Sequence, residues 1–155
     1  MPRISAIALF AIPEQTTLYV SRYCKSPEQF PAFIGESFGQ LGKYLSELDE
    51  LMTDFPYVAF DREPDGGFTV EAGFTVPRLL PGKDAIKSGA ITGGKAVMCM
   101  YQGSYEDMEP FYKELQAWCD ARGLRQKSRM YEFYYNGPDE VQPEQFLTRV
   151  LVPVE

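Results

Sequence analysis

Hydrophobic residues recur at helical spacing in two stretches of the chain. Intervals of three and four residues are kept by Phe30, Phe33, Ile34, Phe38, Leu41, Tyr44, Leu45 and Leu48. A second apolar stripe is formed by Met108, Phe111, Tyr112, Leu115, Trp118 and Cys119. This periodicity predicts two amphipathic helices, each burying one face. Pro31 and Pro110 suit a first helical turn, and Gly123 suits the residue that follows the second helix.

Strand-like runs surround both predicted helices in the same order. TTLYVSRY and AVMCMY precede the helices, whereas the pairs PYVAFDRE with FTVEAGFTV and SRMYEFYY with EQFLTRVLVPV follow them. These runs are rich in β-branched and aromatic residues and are bounded by turn-forming residues. Aligning Tyr23 with Tyr101 also aligns Ser26 with Ser104, Glu28 with Glu106, Phe33 with Phe111 and Glu36 with Glu114. The chain is therefore predicted to contain a duplicated strand–helix–strand–strand segment.

The duplication predicts one α+β domain with approximate two-fold symmetry and mainly antiparallel strands. We expect a first repeat at about residues 15–77, a Pro/Gly-rich linker at 78–93 and a second repeat at about 94–154. Each helix is expected to cover a sheet face with its apolar stripe. A groove where the repeats meet is the expected ligand site, because such interfaces often hold ligands. The apolar stretch Ile4 to Ile12 is expected to form a leading strand or a loosely packed arm.

Composition narrows the chemistry that is available to the chain. Its 155 residues include no histidine, which excludes Ser-His-Asp and Cys-His nucleophilic machinery and every His-containing zinc site. The net charge of −7 disfavours direct binding to nucleic acid or to an anionic membrane. The same charge favours cationic ligands, although acidity also serves solubility alone. Neither a metal nor a cofactor is expected.

The cysteines and the hydropathy pattern indicate where the protein works. Cys24, Cys99 and Cys119 are odd in number and have no zinc-like spacing, so reduced and mostly buried thiols are expected. No apolar run reaches the roughly 20 residues that span a bilayer. The stretch Ile4 to Ile12 follows a single arginine and lacks the small-residue cleavage site of a signal peptide. A cytoplasmic protein is therefore predicted.

Glu132 is an unusual residue because it lies within the aromatic run RMYEFYYNGPDE. Strand alternation places Met130, Glu132 and Tyr134 on one face and Tyr131 and Phe133 on the other. A solvated acid on an open face is one interpretation, and a carboxylate in the wall of a cleft is the other. In a cleft, desolvation would raise the pKa of Glu132, and a cationic ligand would restore its charged form.

The second repeat resembles the GyrI-like small-molecule-binding family, whose relatives are the effector-binding domains of AraC-type and MerR-type multidrug-responsive bacterial regulators. The resemblance is carried by Gly94-Lys95, Tyr101-x-Gly103-x-Tyr105, Leu115-x-x-Trp118, Tyr131-Glu132-x-Tyr134 with Pro138, and Val152-Pro153-Val154. It implies a duplicated βαββ fold with a curved antiparallel sheet and a central cleft. It also implies that the glutamate at position 132 meets the positive charge of a hydrophobic aromatic ligand.

Other aromatic residues are candidates for the wall of the same cleft. Tyr134 shares the face of Glu132, and Tyr101 and Tyr105 flank Gly103 at a strand end, where they either line the cleft mouth or pack as a strand terminus. Phe74 and Tyr23 are positions of the first repeat that pseudo-symmetry brings to the groove, unless they serve in the core. Glu132, Tyr134, Tyr101, Tyr105, Phe74 and Tyr23 are thus the expected ligand-binding residues.

The resemblance leaves three functions open. Only about fourteen residues precede the first repeat, so a stand-alone binder of cationic aromatic compounds is expected and not a regulator with its own DNA-binding domain. Some stand-alone family members look like hydrolases of cyclopropane-bearing compounds, in which Glu132 would be catalytic. An inhibitor of a topoisomerase-like protein partner is the third possibility.

Overall fold

The computed structural model describes residues 3–155, which form two α-helices and eight β-strands. The strands are β1 (Ala8–Ile12), β2 (Gln15–Cys24), β3 (Tyr57–Arg62), β4 (Phe68–Thr75), β5 (Lys87–Ile91), β6 (Gly94–Gln102), β7 (Arg129–Tyr134) and β8 (Leu147–Pro153). The helices are α1 (Phe30–Glu47) and α2 (Glu109–Ala121). The order β2-α1-β3-β4 recurs as β6-α2-β7-β8, which confirms the predicted α+β fold of two βαββ segments.

The chain forms two compact units that are interleaved in sequence. The first unit is Pro13–Gly93, and the second combines the N-terminal segment up to Ile12 with Gly94–Glu155. The segment predicted as a linker, residues 78–93, belongs to the first unit and contributes β5. The stretch predicted as a leading strand or arm contributes β1 to the second unit. The groove expected where the repeats meet stays a prediction.

Strands β1 and β5 extend the duplication and are exchanged between the repeats. Each precedes the first strand of a βαββ segment by two residues, a spacing that commonly closes a hairpin. Instead, β1 pairs antiparallel with β6, from Ala8 opposite Met98 to Ile12 opposite Gly94. In the same way β5 pairs with β2, from Gln15 opposite Ile91 to Tyr19 opposite Lys87. The two-residue connections therefore lead from one unit into the other.

In the first unit, α1 packs on strands β2 and β4. The strands follow the order β3-β4-β2-β5 and all neighbours are antiparallel. The buried helix positions are Phe33, Ser37, Leu41, Tyr44 and Leu45, a subset of the predicted apolar stripe together with one serine. Pro31 lies in the first helical turn, as its fixed φ and missing N–H predict.

In the second unit, the strands follow the order β1-β6-β8-β7, again antiparallel throughout. Helix α2 buries Phe111, Leu115 and Cys119 against sheet residues that include Val97 and Val150. At about 25 cal/mol for each Å² of apolar surface, this buried contact is what holds the helix on the sheet. Trp118 is partly buried against the same core.

Three further observations bear on the chemistry of the described residues. Cys24, Cys99 and Cys119 are all buried free thiols, as predicted. Neither helix between residues 3 and 155 is both long enough and apolar enough to cross a membrane. The same residues contain no grouping of three or more His, Cys, Asp or Glu side chains that could hold a metal ion.

Candidate functional site

Glu132 lies in β7 with only 8% of its surface exposed. It is opposite Val150 of β8, which is in turn opposite Cys99 of β6. Directly opposed residues of antiparallel strands share a face. Since Val150 and Cys99 belong to the core beneath α2, the carboxylate of Glu132 also lies on the helix-covered face. The sequence left open whether Glu132 is a solvated acid or a carboxylate in the wall of a cleft. Its burial excludes the solvated acid.

Two phenols hold the Glu132 carboxylate. The hydroxyl of Tyr112, on α2, donates a hydrogen bond to Oε2, and the hydroxyl of Tyr134, on β7, donates to Oε1 at 2.7 Å. Among residues 3–155, no lysine or arginine forms an ion pair with Glu132. The Glu132 carboxylate is therefore buried with neutral hydrogen-bond donors and without a cationic partner from the described chain.

This environment moves the pKa values of all three groups. Burial raises the pKa of Glu132, and the hydrogen bonds from Tyr112 and Tyr134 offset only part of that increase. Burial and then the charge of Glu132 hold the pKa values of Tyr112 and Tyr134 well above 10. The phenols consequently stay protonated donors at neutral pH, while the proton affinity of the carboxyl is increased.

Two more rings continue the site outward. Tyr105 meets the ring of Tyr134 edge-on at a centroid distance of 5.4 Å and stacks on Phe146 at 4.9 Å. Tyr105 is 43% exposed, yet partial burial, followed by the Glu132 charge, raises its pKa to about 12. We call Glu132, Tyr112, Tyr134, Tyr105 and Phe146 the Glu132 cluster. Its aromatic rings lead from the buried carboxylate to solvent.

The turn that carries Tyr105 is pinned at both ends. Gly103 has a φ of +146°, a conformation that side chains rarely adopt, and its N–H donates to the Phe146 carbonyl at 2.9 Å. The Tyr101 hydroxyl donates to the Ser104 carbonyl at 2.7 Å. Tyr105 then begins a single 3-10 turn before α2. These bonds position Tyr105 against Tyr134 while leaving its ring partly exposed.

The remaining predicted site residues occupy other environments. Tyr101 is 1% exposed, and its ring packs on that of Phe111 with a centroid distance of 5.1 Å. Tyr101 is therefore packed in the core at the end of its strand. Phe74 is buried in the first unit against Phe38 at 5.9 Å. Tyr23, also in the first unit, donates a hydrogen bond to Asp65 at 2.6 Å. A ligand-binding role for Tyr101, Phe74 and Tyr23 stays a prediction.

Sequence reasoning missed Tyr112 and Phe146. Tyr112 was counted among the apolar positions of the α2 stripe, although a phenol in a buried stripe requires an acceptor. That requirement, together with an acid in an otherwise aromatic strand, is the signal that would have paired Tyr112 with Glu132. Phe146 lies between the 3-10 turn Pro143–Gln145 and β8 and carries no local signal.

A second buried carboxylate occurs in the first unit. Glu71 of β4 is as buried as Glu132 and accepts a hydrogen bond from the Tyr57 hydroxyl at 2.6 Å. The Tyr57 ring lies over Gly73, where an added Cβ would come within 2.4 Å of it. The absent side chain at position 73 therefore makes room for the ring.

A surface depression of about 260 Å³ also lies on the first unit. It is lined by Gln40, Lys43, Tyr44, Glu47, Lys83, Asp84, Ala85 and Ile86. Lys83 pairs with Glu47 at 3.2 Å, and the Tyr44 hydroxyl donates to the Pro81 carbonyl at 2.7 Å. Because Lys83 and Glu47 already neutralise each other at the surface, the buried Glu132 carboxylate is the stronger candidate for binding a charged ligand.

Comparison with known proteins agrees with the fold. The family model of the GyrI-like small molecule binding domain matches residues 9–155. The C-terminal domain of EcmrR is similar in structure, with a TM-score of 0.78, 18% identity, and coverage of 97% of both chains. The EcmrR chain in a complex with DNA is also similar, with a TM-score of 0.81 and 19% identity. The match covers 97% of the present chain but only 57% of that EcmrR chain.

Two further structures extend the comparison. A hydrolase from Listeria innocua has a TM-score of 0.72 and 16% identity, covering 96% of this chain and 91% of the other. SAV2435 bound to tetraphenylphosphonium has a TM-score of 0.63 and 15% identity, with coverage of 97% and 94%. At these identities the likeness shows the fold alone. No curated protein matches the sequence.

Proposed function

The chain belongs to the GyrI-like small-molecule-binding family, and from that premise we propose that it binds amphipathic cationic aromatic compounds with Glu132 as the counter-charge. One observation carries the proposal: the Glu132 carboxylate is buried, has a raised pKa and is held by phenols instead of a lysine or arginine. A cation delivered by a ligand would stabilise the ionised carboxylate.

The rings of the Glu132 cluster supply the remaining affinity. A cation over the face of a tyrosine or phenylalanine gains about 0.5–2 kcal/mol, most where water is excluded. Tyr105 is the exposed ring in contact with Tyr134, so its displacement opens a route toward the carboxylate. The binding of tetraphenylphosphonium by SAV2435, a protein of similar fold, supports the same ligand class.

Binding of a cation should depend on pH in a direction set by Glu132. Because the cation favours the ionised carboxylate, binding lowers the pKa of Glu132 and releases a proton when the complex forms below the raised pKa. We expect the affinity for tetraphenylphosphonium to fall as the pH is lowered through that pKa, approaching about tenfold per pH unit. Isothermal titration calorimetry in buffers of different ionisation enthalpy measures both the affinity and the number of protons released on binding.

A neutral aromatic compound of similar size is the control for this experiment. Its affinity should be independent of pH over the same range, or increase slightly as Glu132 becomes protonated. Equal pH dependence for the cation and the neutral compound, or no proton release with the cation, would exclude Glu132 as the counter-charge.

A hydrolase acting on cyclopropane-bearing electrophiles is a second candidate function. The raised pKa of Glu132 and its two phenol partners favour it, since a general base needs a pKa near the working pH. Glu132 would take a proton from water as the water oxygen bonds to a ring carbon and a ring C–C bond breaks. Tyr134 would protonate the departing carbon and recover its proton from Glu132.

This chemistry is tested by mass spectrometry of an activated cyclopropane after incubation with the protein. Hydrolysis gives a product heavier by one water, and Glu132→Gln should reduce the rate by about 10²- to 10⁴-fold. Recovery of unchanged compound from a saturated protein would leave binding as the function.

A further inference from the structure

Thr148 lies beside the Glu132 cluster on the same face of the sheet. In β8 it is opposite Tyr134 of β7 on one side and Tyr101 of β6 on the other. Opposed side chains in antiparallel strands lie about 4.5–5.5 Å apart at Cβ, on one face. The register therefore places the Thr148 hydroxyl between two tyrosine rings, one of which holds the Glu132 carboxylate.

The Thr148 hydroxyl is fully buried and has no hydrogen-bond partner among residues 3–155. Its neighbours are used elsewhere: the Tyr134 hydroxyl donates to Glu132 and the Tyr101 hydroxyl donates to the Ser104 carbonyl. Most buried side-chain polar atoms in proteins have a partner, and an unsatisfied one destabilises the fold. Valine, of nearly the same shape, would fill this core position without that cost.

We propose that Thr148 orients the ligand of the Glu132 cluster by hydrogen bonding to a polar group of that ligand. This inference rests on the proposed function and narrows its ligand class to aromatic cations that also carry a hydroxyl, N–H or carbonyl group. A threonine hydroxyl both donates and accepts, so each of these groups is a suitable partner. Glu132 then recognises the charge, the rings recognise the aromatic surface, and Thr148 distinguishes among cations of similar size.

Thr17 provides a matched control within the same chain. Its hydroxyl is also fully buried in a strand, β2, and also has no hydrogen-bond partner in the described part of the chain. It is opposite Thr75 and Gly89 in the first unit, so no carboxylate or tyrosine occupies the opposed positions. Thr17→Val and Thr148→Val thus each remove a buried hydroxyl without a hydrogen-bond partner from a strand, and only Thr148 borders the Glu132 cluster.

The probes are tetraphenylphosphonium and its ortho-, meta- and para-mono(hydroxymethyl) forms, whose alcohol hydroxyls do not ionise, so that all four carry the same charge. We expect at least one hydroxymethyl form to bind the unmodified protein about five- to tenfold more tightly than tetraphenylphosphonium, the gain of one buried hydrogen bond. Thr148→Val should abolish that gain, whereas Thr148→Ser and Thr17→Val should retain it. Affinities are measured by calorimetry, and thermal unfolding confirms that each variant is folded.

The outcomes separate this inference from the function on which it rests. If tetraphenylphosphonium binds in a Glu132-dependent way but no hydroxymethyl form gains affinity, or the gain survives in Thr148→Val, the role of Thr148 is disproved and the proposed function stands. If none of the four cations shows Glu132-dependent binding, both proposals are wrong.

Discussion

Glu132→Gln is expected to weaken binding of a cationic aromatic compound by roughly 30- to 900-fold, or about 2–4 kcal/mol. Glutamine has nearly the size of glutamate and can still accept a hydrogen bond from Tyr112, so the ring surroundings are retained. What is lost is the charge, whose interaction with a cation is strong because the site is largely closed to water. Affinity is measured with a naphthylmethyl-trimethylammonium ion.

The charge must be separated from other effects of the substitution. The neutral isostere, in which carbon replaces the ammonium nitrogen, should bind Glu132→Gln with an affinity within about twofold of that for the unmodified protein, since it has no charge to lose. Glu71→Gln is the matched variant, because Glu71 is equally buried in a strand and also accepts a bond from a tyrosine. An equal loss for both compounds, or for both variants, would contradict the counter-charge role of Glu132.

Tyr112→Phe is expected to reduce the free energy of unfolding by about 1.5–3 kcal/mol at neutral pH, the range for a hydrogen bond to a charged group. This loss of unfolding free energy should become smaller at acidic pH. Burial raises the pKa of Glu132 in the folded protein above that of an exposed glutamate, and loss of one hydrogen-bond donor raises it further. Because the folded protein binds this proton more tightly than the unfolded chain does, protonation of Glu132 stabilises the folded state. This stabilisation is complete below the unfolded pKa and is lost as the pH rises through the folded pKa.

The loss of stability in Tyr112→Phe should accordingly be greatest above the raised pKa and smallest below about pH 4, where Glu132 is protonated in both states. Urea denaturation at several pH values measures it. Tyr101→Phe is the control, because Tyr101 is a buried phenol of the same core that donates to a backbone carbonyl, which does not titrate. Its effect should not change with pH. A pH-independent loss in Tyr112→Phe would show that Glu132 is not ionised in the folded protein at neutral pH.

The Glu132 cluster also explains why an acid is kept in a strand of aromatic residues. Removing a carboxylate from water costs free energy unless donors or a cation compensate. Here two phenols compensate in part, and the raised pKa shows that compensation is incomplete. Such incomplete compensation is common at functional sites, where groups are kept for binding or catalysis at the expense of stability.

Much of the fold could be predicted from local patterns. The three- and four-residue spacing of apolar side chains located α1 and α2, because a helix buries one stripe whatever its partner. The β-branched and aromatic runs located the six strands of the two βαββ segments. Strand β5 lies in the segment whose Pro and Gly residues predicted a linker, and it is held by pairing with β2, a partner distant in sequence.

The candidate site was predictable only in part, because some of its residues come from elements that are distant in sequence. Alternation along a single strand correctly joined Glu132 to Tyr134, since residues two apart in a strand share a face. The contributions of Tyr112 and Phe146 depend on how α2 and the segment before β8 pack on that strand. Likewise, the sequence marks Thr148 only as a strand residue, and its missing partner is visible only among its neighbours.

Sequence alone therefore established the duplicated segments, the types of their helices and strands, and the strand face that carries Glu132, all of which follow from intervals of two to four residues. The tertiary structure decided which phenols reach the carboxylate, that strands β1 and β5 are exchanged, and which buried hydroxyl lacks a partner. These features depend on contacts between residues far apart in the chain, and hydrogen bonding and desolvation are set by those contacts and not by local spacing.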